Sequence, residues 1–233
     1  MTHSDVLYAT RASLAGDNDP SADDAFRMSE CNHRISNNLA ILVSGIGLRT
    51  ADVTRRSRDL APEEVALILG ELSARISTVA WLHRFLASEP DAERVDINVH
   101  LYELCETLLS ALADPARMVL MRTGAGECHV APRQVVPLSL IVTEAVTNAL
   151  KYAHPAGVRG TISVGSRLLV NGDLVVEVVD DGVGLPENFD FFADGSQGAR
   201  TIRALARQLG ASAEVASLPM GLSFRVTLPR GRV

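Results

Sequence analysis

The stretch from Pro137 to Pro155 constrains the fold of this 233-residue chain more than any other. Its apolar residues recur at helical spacing and would cover one side of a helix. Glu144, Asn148 and Lys151 follow at i, i+4 and i+7, so they form one polar row on a neighbouring side. This row suits a metal-bound polyphosphate, because an amide oxygen binds Mg²⁺, an ammonium attracts phosphate and a carboxylate orients or removes a proton. Taken alone, the row also fits an ordinary solvated helix face.

A second element downstream favours the ligand-binding interpretation of this row over a solvated helix face. Residues 174–179 are apolar and β-branched, as in a strand, and the turn Asp180-Asp181-Gly182-Val183-Gly184 follows them directly. Gly182 and Gly184 permit tight turning and let the backbone approach a ligand closely. The carboxylate of Asp180 can accept a hydrogen bond from an exocyclic amine. A turn of this kind is common on protein surfaces, so its weight comes from its combination with the polar helix.

Together, the ExxxNxxK helix and the DxGxG turn resemble the N box and the first G box of the GHKL ATP-binding fold. Histidine kinases, gyrase-type ATPases and heat-shock chaperones share this fold. The chain is most similar to bacterial histidine kinases whose phosphoacceptor box begins His-Arg, the group that includes the HWE kinases. The resemblance implies that ATP and Mg²⁺ are bound by residues of the two elements: Asp180, Gly182 and Gly184 at the nucleotide, Asn148 at the metal, and Lys151 with His154 at the phosphates. It also implies that Glu144 is the catalytic acid or base.

The N-terminal part contains the residue that the resemblance implies is phosphorylated. The spacing of apolar residues predicts a long helix over 24–50, and the helical wheel places His33 about 160° away from the seam residue Ile35. Residues 30–39 resemble the phosphoacceptor box, which makes His33 the phosphoacceptor, with a neutral imidazole nitrogen as nucleophile. The wheel alone leaves open that His33 is an ordinary surface histidine.

A second heptad pattern predicts the partner helix of a hairpin. Residues 51–61 are polar and basic, as in a turn, and Pro62 followed by two glutamates indicates a helix start. This helix should run to about residue 87. Two such helices bury their apolar stripes when two chains form a four-helix bundle, so we expect a homodimer. The predicted domains are a flexible leader over 1–23, a dimerisation and histidine phosphotransfer hairpin over 24–88, and a catalytic ATP-binding domain over 94–233.

The predicted fold class is α+β, with the hairpin followed by an α/β sandwich of the GHKL, or Bergerat, type. The pattern predicts a helix over 99–113, short strands over 118–122 and 127–130, a β-hairpin around Asn171-Gly172 and a last strand over 222–228. We expect the strands to pair antiparallel on one side and the helices to cover the other.

The segment between residues 185 and 197 stands where the family has a lid over the nucleotide. Gly198 then begins a helix, and the resemblance implies that Gly198 and Arg200 contact phosphate there. Relatives usually carry Gly-x-Gly at this place, whereas this chain has Ser196-Gln197-Gly198. A helix-start glycine without any ligand is therefore the competing interpretation.

Composition and length limit the partners and the cellular location that we expect for the protein. The net charge of −6 and the pI near 5.5 argue against nucleic acid as a partner. No apolar run approaches the ~18 residues of a membrane span, and no basic-then-apolar leader begins the chain. Three cysteines without CxxC spacing fit a reducing cytoplasm, where we expect the protein to be located. The leader is too short for a sensor domain, so the signal should come from a separate sensor or input protein or from a region outside this sequence.

Three hypotheses follow. The first is a two-component histidine kinase that autophosphorylates His33 from Mg-ATP and passes the phosphoryl group to a separate response-regulator receiver domain. The second is a histidine phosphotransferase adaptor that kept the kinase-like fold but no longer autophosphorylates, which the missing lid glycine favours. The third is a serine kinase or anti-sigma factor of the same ATP-binding class, against which the outward His33 argues. Intact Glu144, Asn148 and Asp180 favour the kinase.

Overall fold

The computed structural model describes residues 40, 43, 46–47, 50–51, 53–55, 59–88, 93–113, 116–124, 126–154, 158–193 and 197–231. The chain divides into two compact units, 1–37 and 38–233. The first unit lies outside the described residues, and with it the predicted leader and His33.

Four helices of the described part organise this unit. They are α1 (Pro62–Ser88), α2 (Ile97–Leu112), α3 (Pro132–Tyr152) and α4 (Gln197–Leu209). Helix α1 begins at the predicted proline and ends within one residue of the predicted end.

The turn predicted over 51–61 is wrong in its first half. The described residues from 50 to 55 are helical, and the non-helical stretch before α1 is described only at 59–61. The hydroxyl of Thr54 donates to the carbonyl of Thr50 at 2.8 Å, and that of Thr50 donates to Ile46 at 3.0 Å. Both bonds reach four residues back, which is the spacing of hydroxyl-to-carbonyl bonds in a helix.

Helix α3 starts five residues earlier than the sequence pattern predicts. Pro132 occupies the first turn, where its missing N–H costs nothing, and the backbone N–H of Ala131 donates to the side chain of Gln134 at 2.9 Å. Pro137, predicted as the first residue, lies inside the helix instead.

The strands are β1 (Val95–Asp96), β2 (Met118–Thr123), β3 (His129–Val130), β4 (Gly160–Leu168), β5 (Leu174–Asp180), β6 (Ser212–Ser217) and β7 (Leu222–Leu228). In the described part, β1 pairs with β3, and a five-stranded sheet has the order β2-β4-β5-β7-β6. The prediction of wholly antiparallel pairing is wrong at one edge, because β2 runs parallel to β4. The connection from β2 to β4 passes through β3 and α3, which is long enough to return the chain in the same direction.

The helices cover one face of the five-stranded sheet, which confirms the predicted α/β sandwich. Alternate residues of β5 and β7 point into the core, and Ile141 of α3 and Ile202 of α4 are fully buried against them. On the other face Glu177 accepts hydrogen bonds from Arg167 at 2.7 Å and from Arg225 at 2.6 Å. This one-sided core places the ends of β5 and α3 side by side.

Candidate nucleotide site and the surroundings of helix α3

The C-terminal end of α3 contacts the turn that follows β5. The backbone N–H of Val183 donates to the carbonyl of Ala153 at 2.8 Å. A Cβ on Gly182 would lie 2.2 Å from that same oxygen, so only glycine permits this approach. Asn148 is five residues before Ala153, which places it about 7.5 Å back along the helix axis. The two motifs singled out in the sequence are therefore neighbours in the fold.

Asp180 is the last residue of β5 and lies on the core side of the sheet, with 6% of its surface exposed. Its Oδ1 accepts the backbone N–H of Gly182 at 3.0 Å. Burial raises the pKa of Asp180 above its ordinary value, although the Gly182 N–H partly offsets this. A carboxylate that is poorly solvated gains from an additional hydrogen-bond donor, such as the amino group of a purine.

A third glycine, which the sequence analysis did not single out, completes this corner. Gly221 has φ +89°, and a Cβ there would lie 1.8 Å from the backbone oxygen of Asp180. Gly184 has φ +71° and approaches Gly221 in turn, since its Cβ would lie 3.2 Å from the Gly221 oxygen. The available signal was the position of Gly221 directly before a clearly alternating strand, where a tight turn needs a left-handed residue.

Asn148 carries a buried polar atom that lacks a partner. Its Nδ2 makes no hydrogen bond within the described part of the chain, although the residue is half-buried. Such an orphaned amide is rare in a finished core and fits a site that a ligand completes. Lys151, one turn further, is half-buried in the last turn of α3.

A magnesium ion at this place would have few protein ligands. Among the described residues, no group of three or more His, Cys, Asp or Glu side chains could hold a metal. Mg²⁺ is commonly held by one or two side chains together with substrate phosphates and water, so the amide oxygen of Asn148 fits that pattern.

His154 is engaged with the turn. Its Nε2 lies 2.7 Å from Oδ1 of Asp181, which also accepts the backbone N–H of Thr161 at 2.7 Å. The ring, 9% exposed, lies over Gly160, where a Cβ would come within 2.2 Å of it. Burial alone would raise the pKa of Asp181, but the Thr161 N–H and His154 outweigh it and lower the pKa. His154 therefore fixes the turn to the end of α3, and its implied phosphate contact stays a prediction.

Glu144 lies on the side of α3 that contacts α1. Arg75 of α1 binds both of its carboxylate oxygens, with Nε to Oε1 at 2.5 Å and Nη2 to Oε2 at 2.8 Å. The two side chains are 11% and 8% exposed. Beside them the hydroxyls of Thr78 and Thr143 lie 3.0 Å apart. The sequence analysis missed Arg75: its place beside the apolar seam, three residues after Leu72, marks a charge near a helix interface but does not indicate its partner.

The same side of α3 carries a row of hydroxyls that bond within the helix. Ser139, Thr143 and Thr147 each donate to the carbonyl four residues earlier, at 2.7, 2.8 and 2.6 Å. The Nε2 of His100 on α2 lies 2.7 Å from the Ser139 oxygen, and since that hydroxyl donates to Val135, the imidazole is the donor. Burial lowers the pKa of His100 to about 3, so this ring is neutral near pH 7.

The start of α4 and the segment before it are joined by Arg203. Its guanidinium donates to the carbonyl of Phe192 at 2.6 Å and lies 5.6 Å from the centre of the Phe192 ring. Gly198 is buried in the first turn of α4 and Arg200, two residues later, is exposed, while 194–196 lie outside the described residues. The roles implied for Gly198 and Arg200 at phosphate stay predictions.

Comparison with known proteins places matches along most of the chain. The family profile described as "Histidine kinase" (HisKA_2) matches residues 30–112. The profile described as "Histidine kinase-, DNA gyrase B-, and HSP90-like ATPase" matches residues 134–232.

Curated relatives agree with these profiles. The chain is 26% identical over 205 residues to Blue-light-activated histidine kinase 2 of Erythrobacter litoralis, covering 87% of this chain and 57% of that protein. It is 29% identical over 180 residues to Sensor histidine kinase PdtaS of Mycobacterium tuberculosis, covering 76% of this chain and 33% of that protein. The chain thus spans between a third and three fifths of the length of these relatives.

Solved structures share the fold. The histidine kinase domain of the Erythrobacter litoralis EL346 blue-light-activated histidine kinase has a TM-score of 0.64 at 22% identity, with 90% of this chain and 93% of that chain covered. Within the part that the structure describes, no helix combines the length and the apolar character needed to cross a bilayer.

Proposed function

Because this chain belongs to the histidine kinases that join a HisKA_2 segment to a GHKL ATP-binding domain, we propose that it autophosphorylates His33 from Mg-ATP and passes the phosphoryl group to a response-regulator aspartate. The observation that carries the proposal is the corner where the Asp180 turn meets the C-terminal end of α3, with the unpaired amide nitrogen of Asn148 beside it. In this view the corner receives the nucleotide.

In this proposal, different residues of the corner bind the adenine, the metal and the phosphates of the nucleotide. Asp180 accepts a hydrogen bond from the adenine amino group, and Gly182 and Gly184 let the backbone approach the nucleotide. Asn148 offers its amide oxygen to Mg²⁺, and Lys151 neutralises phosphate charge. The metal, when bound, withdraws charge from the phosphate oxygens.

The chemistry that the proposal assigns to the protein is mostly positioning. An imidazole nitrogen of His33 attacks the γ-phosphorus, the nitrogen–phosphorus bond forms, and the bond to the bridging oxygen of ADP breaks. The imidazole loses a proton in this step, and Glu144 is the group proposed to accept or orient it. The receiver aspartate then displaces the histidine and regenerates it.

The proposed dimer rests on α1. Val65, Leu69 and Ile76 are exposed apolar side chains on this helix. A second copy of the hairpin would bury them in a four-helix bundle, as the heptad spacing predicts. The boundaries at 24–88 and 94–233, the separate input protein and the cytoplasmic location stay part of the proposal.

One labelling experiment tests the function. The full chain is incubated with γ-³²P-ATP and Mg²⁺, and the label is tested for acid lability and for dependence on His33 with the variant His33→Gln. Acid-labile label that requires His33 is the expected result. Nucleotide binding without label would support the phosphotransferase adaptor instead, and acid-stable label would support a serine kinase.

A further inference from the structure

The carboxylate of Glu144 has no free oxygen in this structure. The fork of Arg75 occupies both oxygens with two parallel hydrogen bonds, the geometry in which guanidinium binds carboxylate most strongly. Both side chains are about nine-tenths buried, so water competes little for either. Each oxygen keeps a further lone pair, but the fork holds the carboxylate in one position against α1. The carboxylate therefore cannot turn towards an imidazole elsewhere unless the ion pair opens.

The contact between α1 and α3 has the composition of a separable interface. Among the described α1 side chains, those that are buried are Ala74 and Thr78, and neither is a large apolar group. Val79 is partly buried and packs against the core. Among the described side chains, polar contacts between α1 and α3 include the Arg75 ion pair and the hydroxyl pair of Thr78 with Thr143. Small and polar contacts of this kind are typical of interfaces that form and part, whereas permanent ones bury large apolar side chains.

We propose that Arg75 is a positioning residue that withholds Glu144 from the reaction. When α1 is docked on α3, the carboxylate is held on the hairpin helix, and phosphoryl transfer to His33 requires the ion pair to open. The docked arrangement is thus the resting state of the kinase, and the release of Glu144 controls the rate of labelling. This inference rests on the proposed function, because it takes Glu144 as the acid or base of that reaction.

The first test compares autophosphorylation rates at saturating ATP. Arg75→Gln removes the charged fork, and we expect kcat for His33 labelling to rise about tenfold while KM for ATP is unchanged, since the docked state no longer dominates. Arg75→Lys keeps the charge without the fork and should give an intermediate rate. Thr78→Val is the matched control, because it removes the neighbouring α1–α3 hydrogen bond without touching Glu144, and its rate should stay close to that of the wild type and well below that of Arg75→Gln.

The outcomes separate this inference from the proposed function. If the wild type is labelled on His33 and neither Arg75 variant is faster, the withholding role is wrong and the kinase stands. If Thr78→Val is as fast as Arg75→Gln, loosening of the interface is the cause and the specific role of Arg75 is wrong. If Arg75→Gln alone is labelled, the inference is supported in its strongest form. If all variants bind ATP and none is labelled, both proposals are wrong.

A cross-link provides a second, independent arm that does not depend on the folding of Arg75 variants. The hydroxyls of Thr78 and Thr143 are in contact, so cysteines at both positions can form a disulfide that keeps α1 on α3. We expect the oxidised full-length Thr78→Cys/Thr143→Cys protein to bind ATP normally and to lose His33 labelling, with recovery after reduction. Labelling of the oxidised protein at the reduced rate would overturn the proposal.

Discussion

Helix α3 has two junctions that are built in opposite ways. At the turn junction, its C-terminal end meets Asp180–Gly184 through backbone atoms, and glycines replace any side chain that would intervene. At the helix junction, its middle meets α1 through the side chains of Arg75, Thr78, Thr143 and Glu144. Backbone contacts of the first kind are fixed by the fold, whereas side chains of the second kind can change rotamer and part. We infer that the nucleotide corner is preformed and that the docking of α1 is adjustable.

The largest expected effect tests the rigidity of the turn junction. Gly221→Ala places a Cβ 1.8 Å from the Asp180 oxygen at φ +89°, and we expect it to lower the free energy of unfolding by roughly 3–5 kcal/mol. Gly126→Ala is the matched control, since its φ is +82° but the space around it is open. Gly126→Ala should lower the free energy of unfolding by only about 1 kcal/mol. Equal losses in urea unfolding would mean that the close approach to Asp180 contributes nothing.

The second prediction separates binding from rate at the two junctions. Asp180→Asn should weaken ATP binding about 10- to 100-fold, because a charge-assisted hydrogen bond of roughly 1.5–3 kcal/mol is lost. Glu144→Gln should leave the affinity unchanged and abolish labelling. The control Glu177→Gln alters a carboxylate on the opposite face of the same strand and should leave affinity intact. Calorimetric titration measures the three affinities, and γ-³²P labelling measures the rate of Glu144→Gln. Normal binding by Asp180→Asn would remove the nucleotide corner from the proposal.

The third prediction concerns pH and the α2–α3 contact next to the helix junction. The pKa of His100 is about 3 in the folded protein against 6.5 as its ordinary value, so the folded state excludes a proton that the unfolded chain binds. Its contribution to stability is complete above pH 6.5 and is lost as the pH falls towards 3. The loss should reach about 2 kcal/mol at pH 5. Unfolding of the wild type and His100→Gln at pH 7.5 and pH 5 measures it, and parallel losses in both proteins would contradict the assignment.

The smallest effect belongs to the helix junction itself. Thr78→Val removes one hydroxyl from the pair with Thr143, whose own hydroxyl keeps its bond to the Ser139 carbonyl. We expect a loss of about 1 kcal/mol or less in the free energy of unfolding, because no buried group is left unsatisfied. A loss of about 3 kcal/mol in chemical denaturation would show that this junction is as firmly built as the turn junction.

Local patterns predict the parts of the fold that local interactions determine. The extent of α1 follows from its heptads and from Pro62, and the β4–β5 hairpin follows from Asn171-Gly172, where Gly172 has φ +84°. Strand β6, Ser212–Ser217, is not predicted, because its small and polar residues gain strand geometry from pairing with β7. The parallel pairing of β2 with β4 is also not predicted, because the alternation of residues within a strand does not indicate the direction of the neighbouring strand.

In the candidate site, too, local patterns predict some residues, whereas contacts between distant parts of the chain determine others. Asp180, Gly182 and Asn148 are found from spacing within two short segments, and the fold brings those segments together. Arg75 lies 69 residues from Glu144, and no periodicity within one helix indicates a partner on another. Gly221 is likewise remote in sequence from Asp180, whose backbone oxygen it approaches. His33 lies outside the described residues, so its role still rests on the motif and the family.

The hydroxyl row of α3 affects what happens when a neighbouring helix withdraws. The hydroxyls of Ser139, Thr143 and Thr147 already donate to carbonyls of their own helix. When a neighbouring helix leaves, none of these donors loses its partner, and water need only bond to the hydroxyl oxygens. The hydroxyl protons on this surface are hydrogen-bonded both when a helix covers it and when water does. Rows of self-bonded hydroxyls therefore let one helix alternate between partner and solvent with little energetic cost either way.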